Sequence, residues 1–167
     1  MNELKSSKIE TPLGQMIAIG DEKALYFLEF TDCSKIKRKI ESLKKRTKSD
    51  VVSGFTIIID LIENELNQYF VGTLKSFKTP TFLCGTAFQI QVWEALEQIP
   101  FGETISYSAL SNMIGNPKAL RAAASANGAN PLPVIIPCHR VINMDGGLGG
   151  YSSGLYRKEW LLEHEKR

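Results

Sequence analysis

The sequence predicts an α/β chain in two domains, strands and helices first and a mainly helical part second. Three observations carry this. Two strand-like runs, Met16-Ile17-Ala18-Ile19 and Leu25-Tyr26-Phe27-Leu28, flank Gly20-Asp21-Glu22-Lys23, a hairpin signal. Apolar residues then recur at helical spacing, from Ile36 and again from Ile58. Farther on, two short helical stretches meet at Gly115-Asn116-Pro117, the form of a helix-turn-helix. Lys78-Thr79-Pro80 interrupts the pattern and sets the expected division, residues 1–80 against 81–167.

Taken in order, residues from about 9 to 30 read as strands. Lys35 to Lys45 reads as a basic amphipathic helix with Ile36, Ile40 and Leu43 on its buried side. The cluster from Lys35 to Lys48 is then the solvated face of that helix rather than a phosphate-binding patch. Ile58 to Phe70 reads as a second helix. In the second half Thr86 and Gln89 form a capping box for a helix carrying Phe88, Val92, Ala95, Leu96 and Ile99, and Pro100-Phe101-Gly102 ends it. Ser106 caps a short helix through Met113, with Gly115 in the C′ position. Asn116 and Pro117 suit Ncap and N1 of the next helix, which runs to about Asn127.

Hydrophobic residues make up 43% and charged residues 23% of the 167, ordinary for a soluble globular protein of one domain or two small ones. Met1 to Lys8 is polar and no apolar core follows, so no signal peptide is expected. No apolar run approaches the length of a membrane span. Cys33, Cys84 and Cys138 are sparse and odd in number, which implies thiols in a reducing compartment. The expected location is the cytoplasm, or the nucleus in a eukaryote. With no Cys-x-x-Cys and only His139 and His164 as imidazoles, the sequence argues against a structural zinc site. No metal and no cofactor is expected. The net charge of +2 does not announce a nucleic-acid partner.

The chemistry lies in Pro137-Cys138-His139-Arg140-Val141. A thiol is a useful nucleophile only as the thiolate, which needs a base or positive surroundings. A bare Cys-His pair ordinarily reads as a buried strand cysteine. Here a proline precedes and the glycine loop Gly146 to Gly150 follows, placing the thiol at a chain turn. Glu165 follows Leu161 and Leu162 by four and three residues, on the buried face of a last helix, whereas Glu163 reads as solvated. The helix after Gly115 carries Ala119, Ala122, Ala123, Ala124 and Ala126, too short to reach base edges but suited to close backbone approach.

Asn127-Gly128-Ala129-Asn130-Pro131 before the motif, Gly149-Gly150-Tyr151-Ser152 after it, and the closing Arg157-Lys158-Glu159-Trp160-Leu161-Leu162-Glu163-His164-Glu165 complete a larger pattern. It resembles the O6-alkylguanine-DNA alkyltransferases, also called methylated-DNA–protein-cysteine methyltransferases. The likeness runs from about Thr86 to Glu165 without a gap. It implies a ribonuclease-H-like α/β domain followed by a winged-helix-like, helical DNA-binding domain. It also implies single-use transfer of the alkyl group from O6-alkylguanine in double-stranded DNA to Cys138, with O4-alkylthymine open as a second substrate. The expected partner is DNA, bound through the minor groove with little sequence preference, and the expected state is a monomer away from membranes.

The resemblance implies roles residue by residue. His139 activates Cys138 through a water, since neighbours in extended chain face opposite ways, and Glu165 orients His139. Tyr107 donates to guanine N3, the Ser152 backbone donates to O6, and the carbonyls of Cys138 and Val141 accept from the exocyclic amine. Tyr151 completes the pocket and Asn130 ties the turn leading to Cys138. Arg121 fills the stack after the nucleotide flips out, with Ser106, Ala119 and Ala122 against the DNA. Ser153 stands at the pocket rim where many members have glycine. The first half lacks the zinc-binding Cys and His of some members.

Two other readings fit part of the pattern. Non-enzymatic lesion binders carry tryptophan at the cysteine position, against which Cys138 argues. A Cys-His hydrolase needs a histidine in direct contact with the thiol.

Overall fold

The computed structural model describes residues 2–167. The chain is mixed α/β and falls into two compact units, one ending at Cys84 and the other beginning at Gly85. The first unit extends past Pro80 because Leu25 N–H donates to the Pro80 carbonyl and Phe82 N–H donates to the Leu25 carbonyl.

Strands β1 (Asn2–Thr11), β2 (Gly14–Gly20), β3 (Leu25–Phe30) and β4 (Ser49–Ser53) form a sheet in the order β3-β2-β1-β4. Only β4 runs parallel to its neighbour, β1. The β2–β3 turn closes on Asp21, whose Oδ1 accepts from the backbone N–H of Lys23 and Ala24. Alternation splits β2 and β3 into two faces, both buried. Ile19 and Phe27 pack with Leu4 and with Leu43 of helix α1 (Ile36–Thr47), and Ile36 and Ile40 lie against the same cluster. Lys35, Lys37, Arg38, Lys45, Arg46 and Lys48 point to solvent. Glu29, paired in register with Ile17, is wholly buried on the α1 side, and Lys39 of α1 meets it at 2.8 Å. The opposite face offers Met16, Ala18, Leu28 and Phe30. Helix α2 (Ile57–Val71), capped by Thr56, buries Ile58, Ile59, Ile62, Leu66, Tyr69 and Phe70.

In the second unit α3 (Ala87–Leu96) begins with the capping box of Thr86 and Gln89. It buries Val92, Trp93 and Leu96, and the Trp93 indole donates to the Ala126 carbonyl at 2.8 Å. Strand β5 (Ile105–Ser106) leads into α4 (Tyr107–Met113), where Ser106 Oγ accepts from Ala109 N–H. Gly115 ends this turn at φ +72, the left-handed region that glycine enters without penalty. Helix α5 is Leu120–Gly128 with Ala119 as its cap. The expected start at Asn116-Pro117 is therefore corrected: Ala119 N–H bonds the Asn116 carbonyl, so these residues make a separate turn first. Strand β6 (Val141–Ile142) pairs parallel with β5, and α6 (Leu155–Glu165) closes the unit. Among the described residues no helix is long and apolar enough to cross a membrane.

Candidate active site

Cys138 is not on a strand. Residues 138–140 form a short 3₁₀ turn, reached through a tight bend in which Ile136 N–H bonds the Leu132 carbonyl and Cys138 N–H the Ile136 carbonyl. Asn130 spans the bend, donating to the Ile136 carbonyl at 2.7 Å and accepting from Leu132 N–H at 2.9 Å. Val134, inside the bend, sits at φ 76, a conformation that costs a β-branched residue energy and survives only where the surroundings enforce it. The premise that Cys138 and His139 face apart along an extended chain is thereby corrected.

His139 is wholly buried, and its Nε2 meets Glu165 Oε2 at 2.8 Å. Arg140 grips the same carboxylate with two nitrogens, at 2.8 and 3.0 Å, and donates to the Ile99 carbonyl with a third. Burial pushes the Glu165 carboxyl up, but the hydrogen bonds and charges of His139 and Arg140 outweigh it and hold the group well below the usual carboxylate range. Burial pulls the His139 imidazole below its ordinary value, with Glu165 opposing. At neutral pH the pair is thus carboxylate and neutral imidazole. An ionised carboxylate only accepts, so the His139 proton sits on Nε2 and Nδ1 is left as the acceptor. Nδ1 is buried and makes no hydrogen bond within the protein, so it does not hold the Cys138 thiol directly.

A second cation stands on the other side of the motif. Lys158 is wholly buried, and its ammonium donates to the carbonyls of Val141 at 2.6 Å and Gly150 at 3.0 Å. Burial lowers it to about 8, and the nearby Cys138 sulfur opposes that shift. The coupling is mutual, so a charged Lys158 favours the Cys138 thiolate. Its ammonium also lies 5.8 Å from the centre of the Tyr107 ring. Tyr107 is raised by burial, against a backbone hydrogen bond with Gly150. Gly149 is required here: its φ is +73, and a Cβ would stand 2.8 Å from the Tyr107 hydroxyl. Beside these groups opens a cleft of about 580 Å³, lined among others by Tyr107, Arg121, Asn127, Met144 and Tyr151.

A family model described as the DNA-binding domain of 6-O-methylguanine DNA methyltransferase matches residues 87–167. A methylated-DNA–protein-cysteine methyltransferase of Methanosarcina acetivorans is 42% identical over 156 residues, covering 93% of this chain and 94% of its own. The chain belongs to the methylated-DNA–protein-cysteine methyltransferase family. A member from Shigella flexneri is 39% identical over 171 residues, 99% of this chain and 97% of its own. The crystal structure of Mycobacterium tuberculosis O6-methylguanine methyltransferase matches with a TM-score of 0.82 at 38% identity, covering 98% of this chain and 93% of that one. A structure described as Mycobacterium tuberculosis OGT in complex with DNA also gives 0.82, at 38% identity and covering 98% and 92%.

Of the residues that the methyltransferase resemblance singles out, the fold brings Cys138, His139 and Glu165 into one buried group. Tyr107, Ser106, Arg121 and Tyr151 line the cleft, with Arg121 and Ala122 exposed on α5 and Ala119 at its cap. Ala123 and Ala126 face inward, so the alanine-rich helix is only partly an outward face. Ser152 is exposed, while Ser153 is buried at 4% exposure and its carbonyl accepts from Arg157. The Val141 carbonyl already accepts from Lys158, which leaves it one lone pair. The Cys138 carbonyl accepts from Asn127 at 3.4 Å and from Val141 N–H. His164, the other histidine, stacks on Trp160 at 4.8 Å. Sequence reasoning missed Arg140, Lys158 and Asn127. One signal was available for Lys158: with Leu161 and Glu165 it shares a helical stripe, and all three are buried. Among the described residues no group of three or more His, Cys, Asp or Glu is placed to hold a metal ion.

Proposed function

We propose that this protein repairs alkylated DNA by direct reversal, moving the alkyl group from guanine O6 to Cys138. The observation that carries the reading is the protonation pattern beside the thiol: a carboxylate held ionised by Arg140, a neutral His139 with Nδ1 as base, and a buried ammonium at Lys158. In the proposed reaction the thiol proton passes through a water to His139 Nδ1, and Lys158 balances the thiolate formed. The thiolate attacks the saturated alkyl carbon. A sulfur–carbon bond forms as the carbon–O6 bond breaks, its electrons going to the purine oxygen. The purine becomes guanine as Tyr107 gives its proton to N3 and regains one from the protonated His139 through water, so the proton that left the thiol balances the one that finally resides on N1. The thioether has no route back to thiol, so each molecule acts once.

O6 lies inside the duplex, so the nucleotide must leave the stack before attack. We assign Arg121 to the gap it leaves, and the outward side of α5, with Ala119 and Ala122, to the minor groove. The cleft beside Tyr107 and Tyr151 then receives the base, with Ser152 at O6 and Ser153 near the rim. Two units of ribonuclease-H-like and winged-helix-like architecture, acting as a monomer, belong to the same reading. A Cys-His hydrolase is disfavoured, because His139 Nδ1 makes no hydrogen bond to the thiol.

The test is intact-mass measurement after incubation with O6-methylguanine DNA. One added methyl, mapped to Cys138 and absent from Cys138→Ala, is expected. A label on Cys33 or Cys84 would overturn the assignment, and unmodified protein would overturn the transfer.

A further inference from the structure

The loop after β6 places an apolar side chain where none is needed for packing. Asn143 N–H bonds the Gly147 carbonyl, Gly146 N–H bonds the Asn143 carbonyl, and Asp145 Oδ1 accepts from Gly147 N–H. These bonds close a tight turn, and Met144 stands at its tip at 78% exposure. Leu120, the first residue of α5, is 46% exposed and lines the same cleft. Arg121 lies beside them, and no Asp or Glu lines this cleft. The nearby Asp145 carboxylate is turned back onto its own loop. The cleft mouth therefore combines two exposed apolar side chains, one cation and no anion.

Such a mouth suits a polyanion with apolar faces exposed between its charges, which is the character of a locally opened base stack. Groove-binding proteins commonly press apolar side chains, methionine among them, against a base step to hold it apart. Methionine suits the task because it is unbranched and polarisable and adapts to irregular surfaces. We propose that Met144, backed by Leu120, is an apolar wedge that contacts the DNA bases flanking the extruded nucleotide. The wedge rests on the alkyl-transfer reading above. It divides the labour at the cleft: Arg121 occupies the gap in the stack, and Met144 keeps the neighbouring base from closing over it.

The test compares wild type with Met144→Ser, which keeps a residue suited to turns and removes the apolar tip, and with Met144→Leu, which restores it. Two rates are measured for each, methyl transfer from a duplex carrying O6-methylguanine and dealkylation of the free base O6-benzylguanine. The ratio of the duplex rate to the free-base rate should fall about tenfold in Met144→Ser, the scale of losing a buried methionine contact, and recover in Met144→Leu. Fluorescence of 2-aminopurine placed beside the lesion should rise on binding wild type and rise less with Met144→Ser. An unchanged ratio with unchanged fluorescence overturns the wedge. A fall in both rates together also overturns it, by placing Met144 in the fold or the base pocket. Wild-type protein that gains no methyl from DNA would instead sink the parent reading, so the two failures are distinguishable.

Discussion

Among the described residues of the first unit the buried charged group is Glu29, which pairs with the partly exposed Lys39 between a sheet face and a helix. In the second unit His139, Arg140, Arg157, Lys158 and Glu165 are all buried, and four of these five lie on the Cys138 motif or bond its carbonyl or side-chain groups. Glu29 meets a lysine that reaches solvent and its own neighbouring backbone, Phe30 N–H. Glu165 meets an imidazole whose other nitrogen is left as a base. Taking a charge out of water costs free energy in either place. In the first unit that cost secures only a helix on a sheet. In the second it fixes one tautomer and one sulfur environment, which a packed apolar core cannot do. The contrast locates function more sharply than burial alone does.

The sharpest way to break it is to remove both carboxylates in turn. Glu165→Gln should slow methyl transfer about a hundredfold, the usual scale for losing a supported general base, and should shift the rate-versus-pH profile. It should also destabilise the protein by about 3 kcal/mol, because Arg140 stays buried without its anion. Glu29→Gln should cost stability and leave that profile in place. If both variants alter the profile alike, the contrast fails and Glu165 is structural. The sign of the acid dependence follows from the pairings. The Glu165 carboxyl is held below its ordinary value of 4.5, so its stabilisation is complete above that pH and disappears as pH falls through the lower native value. His139 is held below 6.5, so the unfolded chain takes up that proton first, and stability declines from about 6.5 downward as well. Urea titrations should therefore show the wild-type advantage over Glu165→Gln shrinking below pH 4.5.

Arg121 sharpens the comparison within the second unit, because it is exposed where the other site charges are buried. Arg121→Ala should leave thermal stability within about 0.5 kcal/mol of wild type, as surface changes usually do. The ratio of transfer from duplex DNA to dealkylation of O6-benzylguanine should fall by about tenfold or more, since only the duplex requires a nucleotide to be extruded. Equal losses on both substrates would assign Arg121 to the pocket.

Much of this was legible where the signal is local. Thr86 and Gln89 cap α3 through contacts three residues apart, and Ser106 caps α4 in the same way. Ile36, Ile40 and Leu43 lie on the inner side of α1 because helical spacing leaves them no other. Strand β4 was not legible: Ser49-Asp50-Val51-Val52-Ser53 is short, and its partner β1 lies far away in sequence. Asn116-Pro117 is a sound helix-start signal that a turn used instead. At the site Cys138, His139 and Glu165 could be read from motif and stripe. Arg140 could not, and Lys158 was passed over despite sharing the stripe of Leu161 and Glu165, because an arginine or lysine is exposed by default. Only the three-dimensional fold brings Ile99 and Val141 carbonyls to them.

The smallest expected effect belongs to Ser153. Relative to a glycine, the serine here adds a Cβ and a hydroxyl. The residue is buried rather than facing solvent, and its carbonyl holds Arg157, so it is fixed in place at the start of α6. It follows Tyr151 and Ser152, which the proposed function places against the base. Added bulk there should leave room for a methyl group and crowd a benzyl group. Ser153→Gly should therefore raise the rate with O6-benzylguanine a few-fold relative to O6-methylguanine in DNA, the scale set by one or two heavy atoms in a pocket. The same change should cost some stability, since glycine frees the unfolded chain and leaves a small void in a buried position. Measuring both substrates in both proteins decides the matter. An identical rate ratio accompanied by lower stability would mean that Ser153 packs against the base of α6 and takes no part in choosing the alkyl group.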